Sequence, residues 1–181
     1  MRTALIIIDM QRGLFTTPKH DAAGTVARID RLAECVRAAG DIVIWVQHEG
    51  PAGDAFDPDG PGWHLLPELR PQATDQFVRK TNCDAFLDTD LADKLTAANI
   101  GRLIVTGCAT DFCVDTTIRS ALARRFPTIV PTDGHTTADR PHLPALKVME
   151  HHHAIWSDFL SPAGPAMLMR CEEVDLTPVR S

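Results

Sequence analysis

An aspartate, a lysine and a cysteine each stand just past the end of an apolar run. Asp9 follows Leu5-Ile6-Ile7-Ile8, Lys80 follows Gln76–Arg79, and Cys113 lies a few residues beyond Leu103-Ile104-Val105 and its closing Thr106-Gly107. A cysteine attacks carbon as its thiolate, and a helix N-terminus with a nearby ammonium favours that form. An aspartate can take the thiol proton and later hand it to a leaving group. A lysine beside the pair can keep the carboxylate ionised and steady the thiolate. Taken singly, each residue also fits a plainer role: a turn cap, a solvated charge, a small buried thiol. Their placement at three strand ends favours the chemical role.

The elements that must position them are readable from spacing. Ala4–Ile8 and Ile42–Val46 are continuous aliphatic runs, which predicts strands buried on both faces. Ala22–Ala39 carries apolar residues at helical intervals and stops at Gly40. Short strands follow at Gln76–Arg79, Leu103–Val105 and Thr128–Val130, with Cys171–Val174 as an edge strand. Helices are expected at Leu91–Ala98, Cys113–Arg124 and Pro144–Leu160. Strands alternating with helices predict an α/β fold: a three-layer αβα sandwich around a six-stranded, mostly parallel sheet of Rossmann-like order. In such sheets ligands sit beyond the carboxyl ends of the strands, where the strand order reverses. The Pro-, Gly- and Asp-rich stretch from 50 to 71 reads as a long surface loop, a length that usually serves function.

Bulk properties narrow the class further. A chain of 181 residues is expected to form one domain over 1–181. At that length a core can bury roughly 70% of the unfolded surface without disulfides or structural metal. A net charge of −6 with no basic run argues against nucleic-acid or anionic-membrane partners. The apolar run at the N-terminus is too short for a signal core or a membrane span, so a cytoplasmic location is expected. Cys35, Cys83, Cys108, Cys113 and Cys171 are an odd set without scaffold spacing, which predicts reduced thiols.

The segment Thr106-Gly107-Cys108-Ala109-Thr110-Asp111-Phe112-Cys113-Val114-Asp115-Thr116-Thr117 resembles the isochorismatase-like cysteine hydrolases. The opening Ile6-Ile7-Ile8-Asp9-Met10-Gln11 and the Lys80 segment with Asp84-Ala85-Phe86 and Thr89-Asp90-Leu91 resemble the same superfamily. The match runs in order over about residues 4–137. It implies an Asp9–Lys80–Cys113 triad, a cis peptide at Cys108-Ala109, and an oxyanion hole formed by the N–H groups of Ala109 and Cys113. Members commonly cut amide-type C–N bonds of small molecules, among them nicotinamide, N-carbamoyl compounds, ureidoacrylate and streptothricin-type lactams. The isochorismatases proper cleave a vinyl ether and generally lack the cysteine. Cys113 therefore favours an amidohydrolase working through a thioester, with a vinyl-ether hydrolase or an inactive binding module as alternatives. The family commonly forms dimers or larger assemblies, so a homo-oligomer is expected.

No metal or other cofactor is expected. Metal-containing nicotinamidases carry Asp-x-His after the second strand, whereas this chain reads Val46-Gln47-His48-Glu49, short of the ligands a metal needs. Successive helical positions do not share a face, which weighs against metal binding by His151-His152-His153. His48, Trp63, Phe15 and Phe112 are the candidates for a substrate pocket; for Trp63 a loop-anchoring role is equally open. A dinucleotide binder would need G-x-G-x-x-G at the first turn, where this chain has Asp9-Met10-Gln11-Arg12-Gly13-Leu14.

Overall fold

The aliphatic runs do form the centre of a sheet. A computed structural model describes residues 2–177. Its elements run β1 (Arg2–Ile8), α1 (Ala22–Ala38), β2 (Ile42–His48), β3 (Gln76–Lys80), α2 (Leu91–Ala97), β4 (Ile100–Cys108), α3 (Asp115–Ala123), β5 (Thr128–Pro131), β6 (His135–Thr136), α4 (Ala145–Ser157) and β7 (Met167–Met169). The strand order is β3-β2-β1-β4-β5-β7, with β6 paired to β4 off this path. These pairings are all parallel.

Period-two alternation splits the apolar runs between two cores. Ala4, Ile6, Ile8, Ile44, Val46, Leu103 and Val105 face one cluster, which α2, α3 and Trp156 of α4 cover. Leu5, Ile7, Val43, Trp45 and Ile104 face the other, closed by Val26, Ile29, Ala33 and Val36 of α1. Burying each large aliphatic side chain is worth about 1.5–3 kcal/mol, so the central strands supply much of the driving force. The chain belongs to the three-layer α/β class its pattern predicts.

Three local readings need correction. The edge strand is Met167–Met169, and Cys171–Glu173 is a 3-10 turn. Arg170 N donates to Glu173 Oε2 (2.7 Å) and Cys171 N donates to Asp133 Oδ1 (2.8 Å), so these bonds draw the backbone into a turn. The two-residue β6 adds a seventh strand. Finally, Cys113 does not begin an α-helix but sits in a π-helical turn, Thr110–Val114, that leads into α3.

The switch point lies between β1 and β4, which are neighbours in the sheet although α1, β2, β3 and α2 separate them along the chain. Gly107 lets the two strands approach: its φ is +123°, and a Cβ there would lie 2.1 Å from Ile8 O. Any side chain at 107 would push the strands apart beside Asp9. No helix among the described residues is long and apolar enough to cross a membrane.

Candidate active site

Asp9 and Cys113 follow the ends of the two strands that flank the switch point, Asp9 directly after β1 and Cys113 in the turn after β4. Asp9 leaves β1 with φ +49°, and its N–H is held by Val46 O at 2.9 Å. Left-handed backbone is uncommon outside glycine and is tolerated where surrounding structure fixes it. Lys80 comes from β3, two strand spacings of about 4.8 Å from β1. Its long side chain crosses the end of β2 to close that gap. Lys80 Nζ donates to Asp9 Oδ2 (2.6 Å), to Asn82 O (3.0 Å) and to Cys113 Sγ (3.2 Å). Asp9 and Lys80 are 1% and 2% exposed, so the ion pair works in a low-dielectric setting.

The charge balance differs from the sequence expectation at one point. The helix start and the ammonium predict a thiol pulled down in pKa. Instead, burial pushes the Cys113 thiol well above its ordinary range, the Asp9 carboxylate adds to the rise, and Lys80 only partly opposes it. Burial likewise raises the Asp9 carboxyl, against the pull of Lys80 and the thiol. Burial alone would lower the Lys80 ammonium, but Asp9 and Cys113 hold it above its usual value. Burial thus favours the neutral form of the thiol, and the two acidic neighbours favour the charged form of the lysine. Among the described residues Asp9 Oδ1 is buried without a hydrogen-bond partner, while Oδ2 is taken by Lys80. An unpartnered carboxylate oxygen in that setting is a ready proton acceptor.

The Cys108–Ala109 peptide is cis. Ala109 O accepts from Phe112 N (3.1 Å) and Val114 N (3.2 Å), which winds the backbone around Cys113. Asp111 anchors this turn: Arg140 donates to both its carboxylate oxygens at 2.8 Å, and Thr137 Oγ1 donates at 2.6 Å.

The pocket candidates divide. His48 Nδ1 lies 3.4 Å from Lys80 Nζ, and burial, then Lys80, lowers the ring below its ordinary pKa. A hollow lined by His48, Asp54, Phe56 and Thr81 opens from this side of the cluster. Trp63 anchors the long loop: its carbonyl accepts from Gln11 Nε2 (2.9 Å) and Gln47 Nε2 (3.0 Å), and Arg79 covers its ring. Phe112 is 52% exposed beside Cys113, with the Arg140 guanidinium over its ring. Phe15 packs toward α1 and lines a separate groove with Val26 and Leu66. Of these two hollows, the one at His48 adjoins the reactive groups.

Gln11 is a residue whose role the sequence does not reveal. It is fully buried, donates to His48 O (3.0 Å), and accepts from His48 N (2.8 Å) through Oε1. It therefore ties the end of β2 to the turn after Asp9. Its place in Asp9-Met10-Gln11 is the available signal. Among the described residues, no group of three or more His, Cys, Asp or Glu is arranged to hold a metal ion.

A parallel α/β sheet with a buried Asp9–Lys80 pair and the half-buried Cys113 at its switch point defines the class. The chain belongs to the isochorismatase-domain family, whose model matches residues 3–158. It is similar to a streptothricin hydrolase of Streptomyces noursei, 35% identical over 150 residues, which are 79% of this chain and 58% of that protein. A ureidoacrylate amidohydrolase of Variovorax paradoxus is 29% identical over 169 residues, 72% of this chain and 67% of that one. The chain thus spans little more than half the length of the streptothricin hydrolase it matches. Among solved structures, a cysteine hydrolase from Pseudomonas syringae pv. phaseolicola superposes with a TM-score of 0.85 at 25% identity, covering 95% of this chain and 90% of that one.

Proposed function

We propose that the chain hydrolyses an amide-type C–N bond of a small molecule through a thioester on Cys113. The carrying observation is the division of labour at Asp9: Oδ2 is locked to Lys80, and Oδ1 is buried with no hydrogen-bond partner among the described residues. Asp9 takes the Cys113 proton as sulfur attacks the carbonyl carbon. The C–N bond then breaks, and Asp9 returns that proton to the departing nitrogen. Water, deprotonated by Asp9, attacks the thioester; the acid leaves, and the proton returns to sulfur. Lys80 stays charged throughout and offsets the negative charge that moves between Asp9 and Cys113.

The N–H groups of Ala109 and Cys113 are assigned to the carbonyl oxygen as its charge develops, a type of contact worth about 3 kcal/mol per donor in the transition state. The names of the two relatives support hydrolysis, and that of the amidohydrolase supports the amide bond. A screen of small primary amides, ureas and lactams, read by ammonia or amine release, tests the reading. Turnover that requires Cys113 supports it, and a full panel without turnover counts against it.

A further inference from the structure

A second buried string of polar groups ends in the same turn as Cys113 and has no part in the chemistry above. Thr110 opens that turn, and its Oγ1 is 2.8 Å from His135 Nδ1. The other nitrogen of the His135 ring, Nε2, is 2.9 Å from Nε2 of His153 on α4. Thr110 and His135 are 0% exposed, and His153 is half-buried. Trp156 stands edge-on to His135 with ring centroids 5.3 Å apart, and its indole N–H donates to Asp115 at 2.8 Å. The string is therefore enclosed by α3, α4 and β6.

Counting hydrogens shows what it can do. An N···N contact of that length holds one hydrogen between the two rings. Burial, then the neighbouring His153, pushes His135 down to about 3, so it is neutral and carries a single N–H. Two arrangements satisfy both contacts. In one, His135 Nε2–H points at His153, and Nδ1 accepts from the Thr110 hydroxyl. In the other, His153 Nε2–H points at His135, whose own hydrogen moves to Nδ1 and is donated to Thr110. A protonated His153 always carries Nε2–H and permits only the second.

We propose that His153, acting through the tautomer of His135, is a positioning residue that sets whether Thr110 donates or accepts a hydrogen bond, and thereby sets the pose of the nucleophile turn. Thr110 lies between Ala109 and Cys113, so a change at its hydroxyl acts on both assigned oxyanion donors. The inference rests on the assignment of Cys113 as nucleophile. His153 is the member that titrates: it is less buried than His135, and burial and His152 lower it while Glu150 raises it. Among the described residues, Asp115 is paired with Arg119 on α3, Asp111 with Arg140 at the turn, and Glu150 with Lys147 on α4.

The test is nitrogen-detected NMR of the histidine rings of the whole chain between pH 8 and 5, together with the rate of Cys113 alkylation by iodoacetamide over the same range. As His153 gains its proton, His135 is expected to pass from the Nε2–H to the Nδ1–H tautomer without gaining a second proton. The alkylation profile is expected to carry an inflection at the same pH, with a change of roughly five-fold or more. His153→Phe should lose that inflection, and His153→Gln should recover part of the rate without restoring it. A His135 ring that keeps one tautomer through the His153 titration overturns the proposal, as does an unchanged inflection in His153→Phe. The wild-type NMR decides the matter if the Phe variant fails to fold. Neither readout needs amide turnover, so an inactive substrate panel bears on the hydrolase reading alone.

Discussion

Lys80 Nζ lies 2.6 Å from Asp9 Oδ2, and both side chains are closed off from water. Lys80 reaches this position from β3, so the pair ties an outer strand to the centre of the sheet. Its removal is expected to act on stability as well as on chemistry.

Lys80→Met leaves the Asp9 carboxylate buried without its partner. Breaking one side of such a pair typically costs about 3–5 kcal/mol, whereas replacing both sides is far milder. Urea denaturation should show that loss for Lys80→Met and a partial recovery for Asp9→Asn/Lys80→Met. Equal losses in the two variants would mean that the ion pair is not what Lys80 stabilises.

Asp9→Asn separates the proton balance from the nucleophile. Asp9 helps to hold the Cys113 thiol up, so its neutral replacement, with Lys80 still present, should bring the thiol down. Iodoacetamide should then label Cys113 faster than in the wild type at pH 8, while turnover falls by about 10²–10⁴-fold. Slower labelling would contradict that charge balance.

His135 predicts how acid acts on the fold. Its pKa is lowered to about 3 in the folded chain from 6.5, so below pH 6.5 the unfolded chain binds a proton that the folded one refuses. Stability contributed by this group is thus present above 6.5 and falls by about 1.4 kcal/mol per pH unit as pH drops toward 3. Asp9, raised on folding, acts in the opposite sense, so the comparison must be with His135→Gln, in which Asp9 is unchanged. Denaturation at pH 7 and pH 5 should show a smaller loss in the variant than in the wild type.

Dialysis against a chelator is expected to leave turnover intact. The His48 ring faces the Lys80 ammonium through Nδ1, and among the described residues no group of three or more His, Cys, Asp or Glu is arranged to hold a metal ion. Activity abolished by the chelator and restored by zinc or iron would refute this.

The centre of the molecule is legible in the sequence, and its margins are less so. The runs at Leu5–Ile8 and Ile42–Val46 are apolar at every position because both faces are covered, and that pattern has few other readings. The same pattern carries Asp9 to a strand end. Met167-Leu168-Met169 is short and partly exposed, so neither period nor β-branching marks it as a strand. Spacing puts the start of α3 two residues early because a π-helical turn has no apolar period of its own. His135 and His153 lie far apart in the chain, and only the fold shows that one member of the histidine triplet turns inward. The lowered thiol pKa expected for Cys113 fails for a related reason: depth of burial, which spacing does not report, outweighs the lysine.

The central claim is that Cys113 is the nucleophile, and the most direct measurement is kcat/KM of Cys113→Ala on the best substrate from the amide panel. The side chain is partly exposed and small, so its truncation should leave the fold intact. The account predicts a loss of at least about 10³-fold, since a missing nucleophile leaves only binding and oxyanion stabilisation. Turnover by Cys113→Ala at a rate near that of the wild type would contradict it.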